Sequence, residues 1–346
     1  MRHSPPIVSS DPSHDMWQDV ADEADAEPGE PADDAGAEVR AFSAGAAQHG
    51  ERLDRVLAQL VPEFSRSYLQ QLIAAGAVRV DGAAATKVAL RLKAGVRGTI
   101  ELRPTTASQA FRAEPMKIVT VHEDEHLRVV DKPAGLVVHP APGNWGGTLL
   151  NGLLALDPKA ALLPRAGIVH RLDKDTSGLM LVARTRIAMD ALVSQIAARE
   201  VHRGYLALAH GRWSGAPSLA IDAPIGRDPR NRLRMAVVDL ARTPGKAACT
   251  QVELLQSSER GCLVRCVLDT GRTHQIRVHM ASIGHPLVAD PLYGGALAAG
   301  LQRQALHARH LNLAHPVTGV ALQFESPLPP DLQAALAAWG FPGAVK

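Results

Sequence analysis

The chain has 346 residues, enough to bury a sizeable core in two or three domains. Hydrophobic residues make up 46%, an ordinary share for a globular protein, and no apolar run approaches the roughly 18 residues that would cross a bilayer. Three cysteines (Cys249, Cys262, Cys266) without CxxC spacing exclude a disulfide framework, and the N-terminus lacks the layout of a signal peptide, so the cytoplasm is the expected compartment.

The formal net charge of +2 hides an asymmetry. Residues 1–40 hold eleven acidic side chains against Arg2 and Arg40, which leaves the rest of the chain about +11. Acid, Pro, Ala and Gly with few large apolar residues predict a disordered extension over 1–40. The basic remainder is compatible with a polyanionic partner and does not by itself prove one.

From Gly50 to about Pro104 the pattern predicts a small compact domain. Leu53, Val56, Leu57 and Leu60 have the i, i+3, i+4, i+7 spacing of a helix face. A second helix is expected from Ser65 as N-cap, burying Tyr68, Leu69, Leu72 and Ile73 and ending at Gly76. Val78-Arg79-Val80 before Asp81-Gly82 predicts a short strand entering a tight turn. Arg52, Arg55, Arg66 and Arg79 fall off the apolar faces, where guanidinium groups could meet phosphates or simply face water. The run RLDRVLAQLVPEFSRSYLQQLIAAGAVRVDG resembles the S4 RNA-binding domain, which implies that these basic residues meet structured RNA.

Residues 105–115 are polar and break the pattern, as a linker would. Beyond them, strands are predicted at Val119–Val121, Leu127–Val130, Gly135–Val138, Gly167–Val169, Leu179–Val182, Tyr205–Leu208 and Cys262–Leu268. Helices are predicted along the stripe Ile187, Ala191, Leu192, Ile196, from Thr273 to Ile283, and from Asp331 to Trp339. Pro316–Gly319 fits a hairpin turn. The segments do not alternate as regular βαβ units, so the fold expected over 116–346 is α+β: a mixed, mainly antiparallel sheet with flanking helices.

The sharpest chemical signal is GIVHRLDKDTSGLMLVA, residues 167–183. Two apolar strands hold His170, Arg171, Asp173, Lys174 and Asp175 between them. Such a loop fits a carboxylate nucleophile, which needs no activating base, and it equally fits a structural ion-pair loop. Arg230, Arg232 and Arg234 recur with period two, which on a strand would put all three on one face. The histidines at 274 and 279, and at 307, 310 and 315, lack metal-ligand spacing, and no GxSxG elbow surrounds Ser177.

The segment 167–183 resembles the HRLDxxTSG signature of RluA-type pseudouridine synthases, and of their RluD subgroup in particular. DKPAGLVVHP (131–140) and LDTGRTHQIRVHMASIGHPLVADPLYG (268–294) match two further signatures in order. With the S4 run, the resemblance covers nearly everything from residue 50 to about 330. It implies cofactor-free isomerisation of uridine in RNA, with large-subunit 23S rRNA and its helix 69 stem-loop the leading target and the monomer the default state. It implies that Asp173 is the catalytic residue, that Arg171 helps displace the target base, and that Tyr205 stacks on the flipped base. It further implies that Arg272 pairs with Asp173, that Ile276 packs beneath Tyr205 one helical turn on, that His170 supports the site, and that Arg230, Arg232 and Arg234 border the RNA. Asp131, where the family has Asn, and Arg203 near Tyr205 depart from the usual pattern. A non-catalytic S4-type binding protein and a synthase for another rRNA or tRNA site are the alternatives.

Overall fold

The structure, a computed structural model, describes residues 38–61, 66–102, 110–141, 143–231 and 233–341. Residues 105–109 of the expected linker lie outside this range, as do Ser65 and residues 1–37 of the acidic extension. The chain divides into two compact units that part at about residue 112.

The smaller unit is a four-stranded antiparallel sheet, order β1-β4-β2-β3, with two helices. Its strands are β1 (Glu38–Ser43), β2 (Val78–Val80), β3 (Ala83–Ala84) and β4 (Arg97–Leu102). The helices α1 (Leu53–Leu60) and α2 (Arg66–Ala74) bury Leu53, Val56, Leu57, Leu69, Leu72 and Ile73 with Val78 and Ile100. Asp81 and Gly82 both have positive φ (48° and 82°), as a two-residue type I′ hairpin turn requires. The unit begins earlier than the composition suggested. Glu38–Ser43 pairs along β4 and contributes Phe42 to the core, so ordered structure starts inside the segment expected to be disordered to residue 40.

Two of the arginines expected at RNA hold this unit together. Asp54 is fully buried and accepts hydrogen bonds from Arg52 Nε (2.9 Å), Arg66 Nε (2.9 Å) and Gln70 Nε2 (2.8 Å). Burial alone would raise its pKa, but these donors outweigh it and hold the carboxyl well below the usual range. A depressed folded pKa means that the stabilisation is complete above the unfolded value near pH 4 and lost as pH falls through the folded one. Asp54→Ala is expected to destabilise the unit by about 2–3 kcal/mol at neutral pH. In hydrogen exchange of the α1 and α2 amides, the gap between variant and wild type should close in acid.

The larger unit is built on a nine-stranded sheet, order β5-β6-β7-β14-β8-β13-β12-β9, with β15 also on β14. The strands are β5 (Val119–Glu123), β6 (Leu127–Lys132), β7 (Ser177–Ala183), β8 (His202–His210) and β9 (Ser218–Asp222). A separate hairpin, β10 (Ile225–Arg227) and β11 (Met235–Val237), precedes β12 (Cys249–Ser257), β13 (Gly261–Leu268), β14 (Leu306–Ala314) and β15 (Ala321–Glu325). Every pairing is antiparallel except β7 with β14. Helices α3 (Leu149–Leu156) and α5 (Gln275–Ser282) pack into the cluster containing Tyr205, Met180 and Val264. Helices α4 (Arg186–Ala197) and α6 (Pro330–Ala338) cover two further clusters, around Leu179 and Leu181 and around Leu206 and Leu208. No helix among the described residues is long and apolar enough to cross a membrane.

Several predicted elements differ locally. Residues 135–138 form a turn, because Lys132 Nζ donates to the carbonyls of Pro133, Leu136 and Lys174 (2.8–2.9 Å) and gathers the chain around itself. Around 167–169 there is a single bridge, Ile168 to Val182, after a 3-10 turn. Helix α4 buries Ala188, Met189 and Leu192 while Ile187 faces water, so its inward stripe is offset from the predicted one. Helix α5 starts at Gln275 because His274 is left-handed (φ 55°).

Arg230 and Arg234 do not lie on a strand. Asp228 Oδ1 accepts from the backbone N–H of Arg230 and its Oδ2 from Arg234 Nε (2.6 Å), which closes a turn ahead of β11. Period two has no facial meaning there. Arg230 is exposed, Arg234 is ion-paired, and Arg232 lies outside the described residues.

Gly178 is the second residue of β7, just after the charged loop, with φ +116°. A Cβ there would sit 2.2 Å from the carbonyl oxygen of Ala308 on β14. That approach is where β7 and β14 run parallel. Gly178→Ala is expected to cost more than about 2 kcal/mol, through strain and clash together, as a drop in melting temperature would show.

Candidate active site

The loop 169–176 connects the Ile168 bridge to β7, and Asp173 lies at its turn, its carbonyl accepting from Thr176 N–H (3.1 Å). Asp173 Oδ2 accepts from Arg277 Nη1 at 3.0 Å. Arg277 sits in the first turn of α5 and is itself gripped by Asp290, Nε to Oδ2 at 2.7 Å and Nη2 to Oδ1 at 2.9 Å. This fork is the bidentate geometry that fixes a guanidinium plane. Arg277 is buried and its guanidinium lies 5.0 Å from the ring centre of Tyr293. Burial works against the charge, but Asp290 and Asp173 more than restore it and raise the pKa above the ordinary guanidinium value.

The expected partner of Asp173 was Arg272, and here the structure corrects the sequence. The cation bonded to Asp173 is Arg277; Arg272 Nε donates to the carbonyl of Ala247 (3.1 Å). The reason is the late start of α5. Residue 272 precedes the helix, so it and Ile276 are not one helical turn apart. Inside the helix, Ile276 points into the core beside Tyr205 and Arg277 reaches Asp173 and Asp290. Gln275 fixes the turn between them: its Oε1 accepts from Thr270 Oγ1 and Arg272 N, and its Nε2 donates to Cys249 O and Thr250 Oγ1.

A cavity of about 320 Å³ opens at Asp173, a volume at the lower end of small-ligand sites. Arg171, His170, Tyr205, Arg272 and Ile276 all line it with Asp173, as the sequence implied, and Arg203 and His139 join them. Asp173 Oδ1 has no hydrogen-bond partner among the described residues. One oxygen is therefore held while the other is available. Tyr205 is 5% exposed, on central strand β8. Burial raises its phenol pKa, Arg203 pulls it back, and the charge of Asp173 raises it further. His170 Nε2 accepts from the Leu181 N–H at 2.9 Å, so its proton sits on Nδ1. Burial, assisted by Arg203, pushes this imidazole down to about 3 and keeps it neutral.

Ser177 is buried away from the cavity, its Oγ 3.0 Å from His307 Nδ1, where it ties β7 to β14. His279 is likewise internal, bonded to Thr250 Oγ1 and the carbonyl of Ala223. Sequence reasoning did not single out Arg277 or Asp290, although both lie in the quoted segment 268–294. The signal was that Arg277 and Asp290 are the two isolated charges in the otherwise neutral, largely apolar stretch 273–294.

The sequence pattern of the RNA pseudouridylate synthase family matches residues 126–282, and that of the S4 domain residues 51–97. The chain is 47% identical over 306 residues to the ribosomal large subunit pseudouridine synthase D of Xanthomonas campestris, covering 84% of this chain and 89% of that one. The protein of the same name from Nitrosomonas europaea is 49% identical over 301 residues, 84% of each chain. Among solved structures, human RNA pseudouridylate synthase domain containing 1 aligns with a TM-score of 0.51 at 27% identity, over 64% of this chain and 90% of that one. With an aspartate and a tyrosine meeting in one cavity and relatives matched over nearly their whole length, the chain belongs to the RNA pseudouridylate synthase family, as an isomerase of RNA uridine that carries an S4 domain ahead of its catalytic unit.

Proposed function

We propose that this enzyme converts uridines of large-subunit ribosomal RNA to pseudouridine, with the helix 69 stem-loop of 23S rRNA as its target and Asp173 as nucleophile. The observation that carries the mechanism is the Asp173–Arg277–Asp290 chain, which orients one carboxylate oxygen and leaves the other open to the cavity. The names of the relatives support the choice of RNA. The S4 unit supports recognition of a structured element.

The target base has to leave its stack to reach the cavity, at a cost of a few kcal/mol that is smaller in a loop. Arg171, at the cavity wall, is placed to fill the space left behind. Asp173 Oδ1 then attacks the ribose C1′ or the pyrimidine ring. The bond from C1′ to N1 breaks, the uracil turns, C5 bonds to C1′, and the bond made by Asp173 Oδ1 is released, which regenerates the carboxylate. C5 then gives up its proton beside Tyr205, whose phenol oxygen can receive it only as the phenol's own proton passes on, and N1 gains one. Arg277 keeps Asp173 oriented throughout, and the apolar support of Ile276 beneath Tyr205 keeps the ring in place.

Purified protein and 23S rRNA from a strain lacking its own enzyme provide the test, with pseudouridine mapped by carbodiimide-blocked primer extension. Stops in helix 69 with wild type and none with Asp173→Ala are expected. Stops elsewhere would move the substrate, and tight binding without any stop would sink the catalytic reading.

A further inference from the structure

Arg203 is 8% exposed and lines the cavity, yet its Nε–H is buried without a hydrogen-bond partner. No carboxylate among the described residues forms an ion pair with it. Burial lowers its pKa, and only the phenol of Tyr205 works against that. Its Nη1 end is pressed against the turn before α5, where a Cβ on Gly271 would come within 2.9 Å. A buried cation left unpaired is expensive, so a side chain kept in that state points to a partner that arrives later.

A second orphan donor lies beside it. The Nδ1 of His170 must carry the ring proton, because Nε2 accepts from Leu181 N–H, and this Nδ1 is also buried without a partner. The charge of Arg203 reaches it strongly enough to help hold the imidazole neutral. Arg203 and Tyr205, two residues apart on β8, project to the same side of that strand. The cavity therefore offers donors without acceptors, next to the aromatic ring and the open oxygen of Asp173.

Two kinds of group in RNA could answer such donors, a phosphate or a base carbonyl. Arg165, Arg171 and Arg272 are half-buried and Arg199 is exposed at the same cavity, positions suited to a backbone that stays near solvent. Arg203 and the Nδ1 of His170 are deeper, with Arg203 Nε and that Nδ1 both closed to water, a depth that suits the edge of a flat ring seated against Tyr205 better than a tetrahedral phosphate.

We propose that Arg203, with the Nδ1–H of His170, receives the carbonyl edge of the target uracil and stabilises the negative charge that gathers on its ring oxygens during the reaction. The inference rests on the proposed function above, in which that uracil enters this cavity. Whichever atom Asp173 attacks, the electron pair pushed onto the ring is shared by O2 or O4. It stays there until C5 bonds to C1′, C5 gives up its proton and N1 gains one. Donors fixed in advance where charge develops are the usual source of such stabilisation.

The test is Arg203→Met and Arg203→Lys, measured by single-turnover pseudouridine formation at saturating enzyme, with RNA affinity and melting temperature alongside. The RNA is a fragment spanning whichever site the wild type modifies in total rRNA. Arg203→Met is expected to slow the chemical step about 100-fold or more, to bind RNA within threefold of wild type, and to melt no lower. Arg203→Lys should recover part of the rate. Replacing the contacted oxygen by sulfur, with 2-thiouridine or 4-thiouridine at the target, should slow wild type and add nothing to the Arg203→Met defect. Turnover of Arg203→Met within threefold of wild type would overturn the inference, and so would a rate loss that merely follows a lowered melting temperature. A defect cured by raising pH would move the role of Arg203 to the ionisation of Tyr205, and would also overturn it. If wild type itself makes no pseudouridine in any RNA, the proposed function fails first; an active wild type beside an active Arg203→Met sinks this inference alone.

Discussion

Asp173→Asn is expected to lose turnover by roughly 10⁴-fold or more, the range seen when a nucleophile is removed while its surroundings remain. The substitution is nearly isosteric, and its amide oxygen can still accept the hydrogen bond from Arg277 Nη1 that Oδ2 accepts now at 3.0 Å. What disappears is the charge on the oxygen that opens on the cavity. Binding should be spared, because the rim cations and the S4 unit are untouched. Single-turnover kinetics with a filter-binding measurement would separate the two, and a variant that kept more than about 1% of the rate would argue against attack by this carboxylate. Asp173 is only partly buried, at 18% side-chain exposure. Melting should accordingly shift little.

Arg277→Leu should behave differently, losing activity and stability together. Arg277 is buried and bridges two carboxylates, one of which, Asp290, is 1% exposed. Removing the cation leaves Asp290 as an unpaired buried charge, a change that typically costs about 3–5 kcal/mol. In a unit of this size that corresponds to a fall of about 10 °C in melting temperature. Arg277→Lys keeps the charge but cannot span Asp290 with two bonds and still reach Asp173, so it should restore more stability than activity. Thermal melts and single-turnover rates of the same preparations decide this. Full activity in Arg277→Lys would mean that charge alone, without the fixed plane, orients Asp173.

Most of the architecture was legible wherever a period of 2 or 3.6 ran against a buried face. The Asp81-Gly82 turn, β7, β8, β13 and the turn between β14 and β15 appear as predicted, while α1 buries Leu53, Val56 and Leu57 of its expected stripe and leaves Leu60 exposed. The misses share a cause: a long-range partner outvoted the local pattern. Glu38 to Arg40 looked like part of an acidic tail because the residues that order them, Ile100 opposite Arg40 among others, lie some sixty positions on. Residues 135–138 had strand composition, but the ammonium of Lys132 folds them over itself. Burial draws that ammonium down to about 7, yet three carbonyl acceptors call for three donors, and only the charged form has them.

The site was legible to the same degree. The loop carrying Asp173 stands out as charges packed between two apolar segments, but a structural ion-pair loop would look the same, and the resemblance of the HRLD motif is what separated the two. Choosing between Arg272 and Arg277 was another matter. It depended on where α5 begins, which is decided by one left-handed residue, His274. The S4 arginines show a second role that the sequence concealed. Arg52 and Arg66 are off the apolar face as predicted, and what they serve is a buried aspartate that the sequence presents as an ordinary surface residue of a helix start.

Strand β8 is paired with β14 over His202–Ala207 and with β13 over Gly204–His210, so both of its edges are held around Tyr205. That confinement turns the strand into a ruler for gene-length change. Adding or deleting one residue within it would turn Tyr205 to the opposite side of the sheet, and neither neighbour is free to slide and compensate. The turn at 258–260 between β12 and β13 and the loop at 228–234 bear no such constraint. Insertions and deletions that survive selection in this lineage should therefore collect in those two places, and the interval from Arg203 to Cys266, counted through the sheet rather than along the chain, should stay fixed.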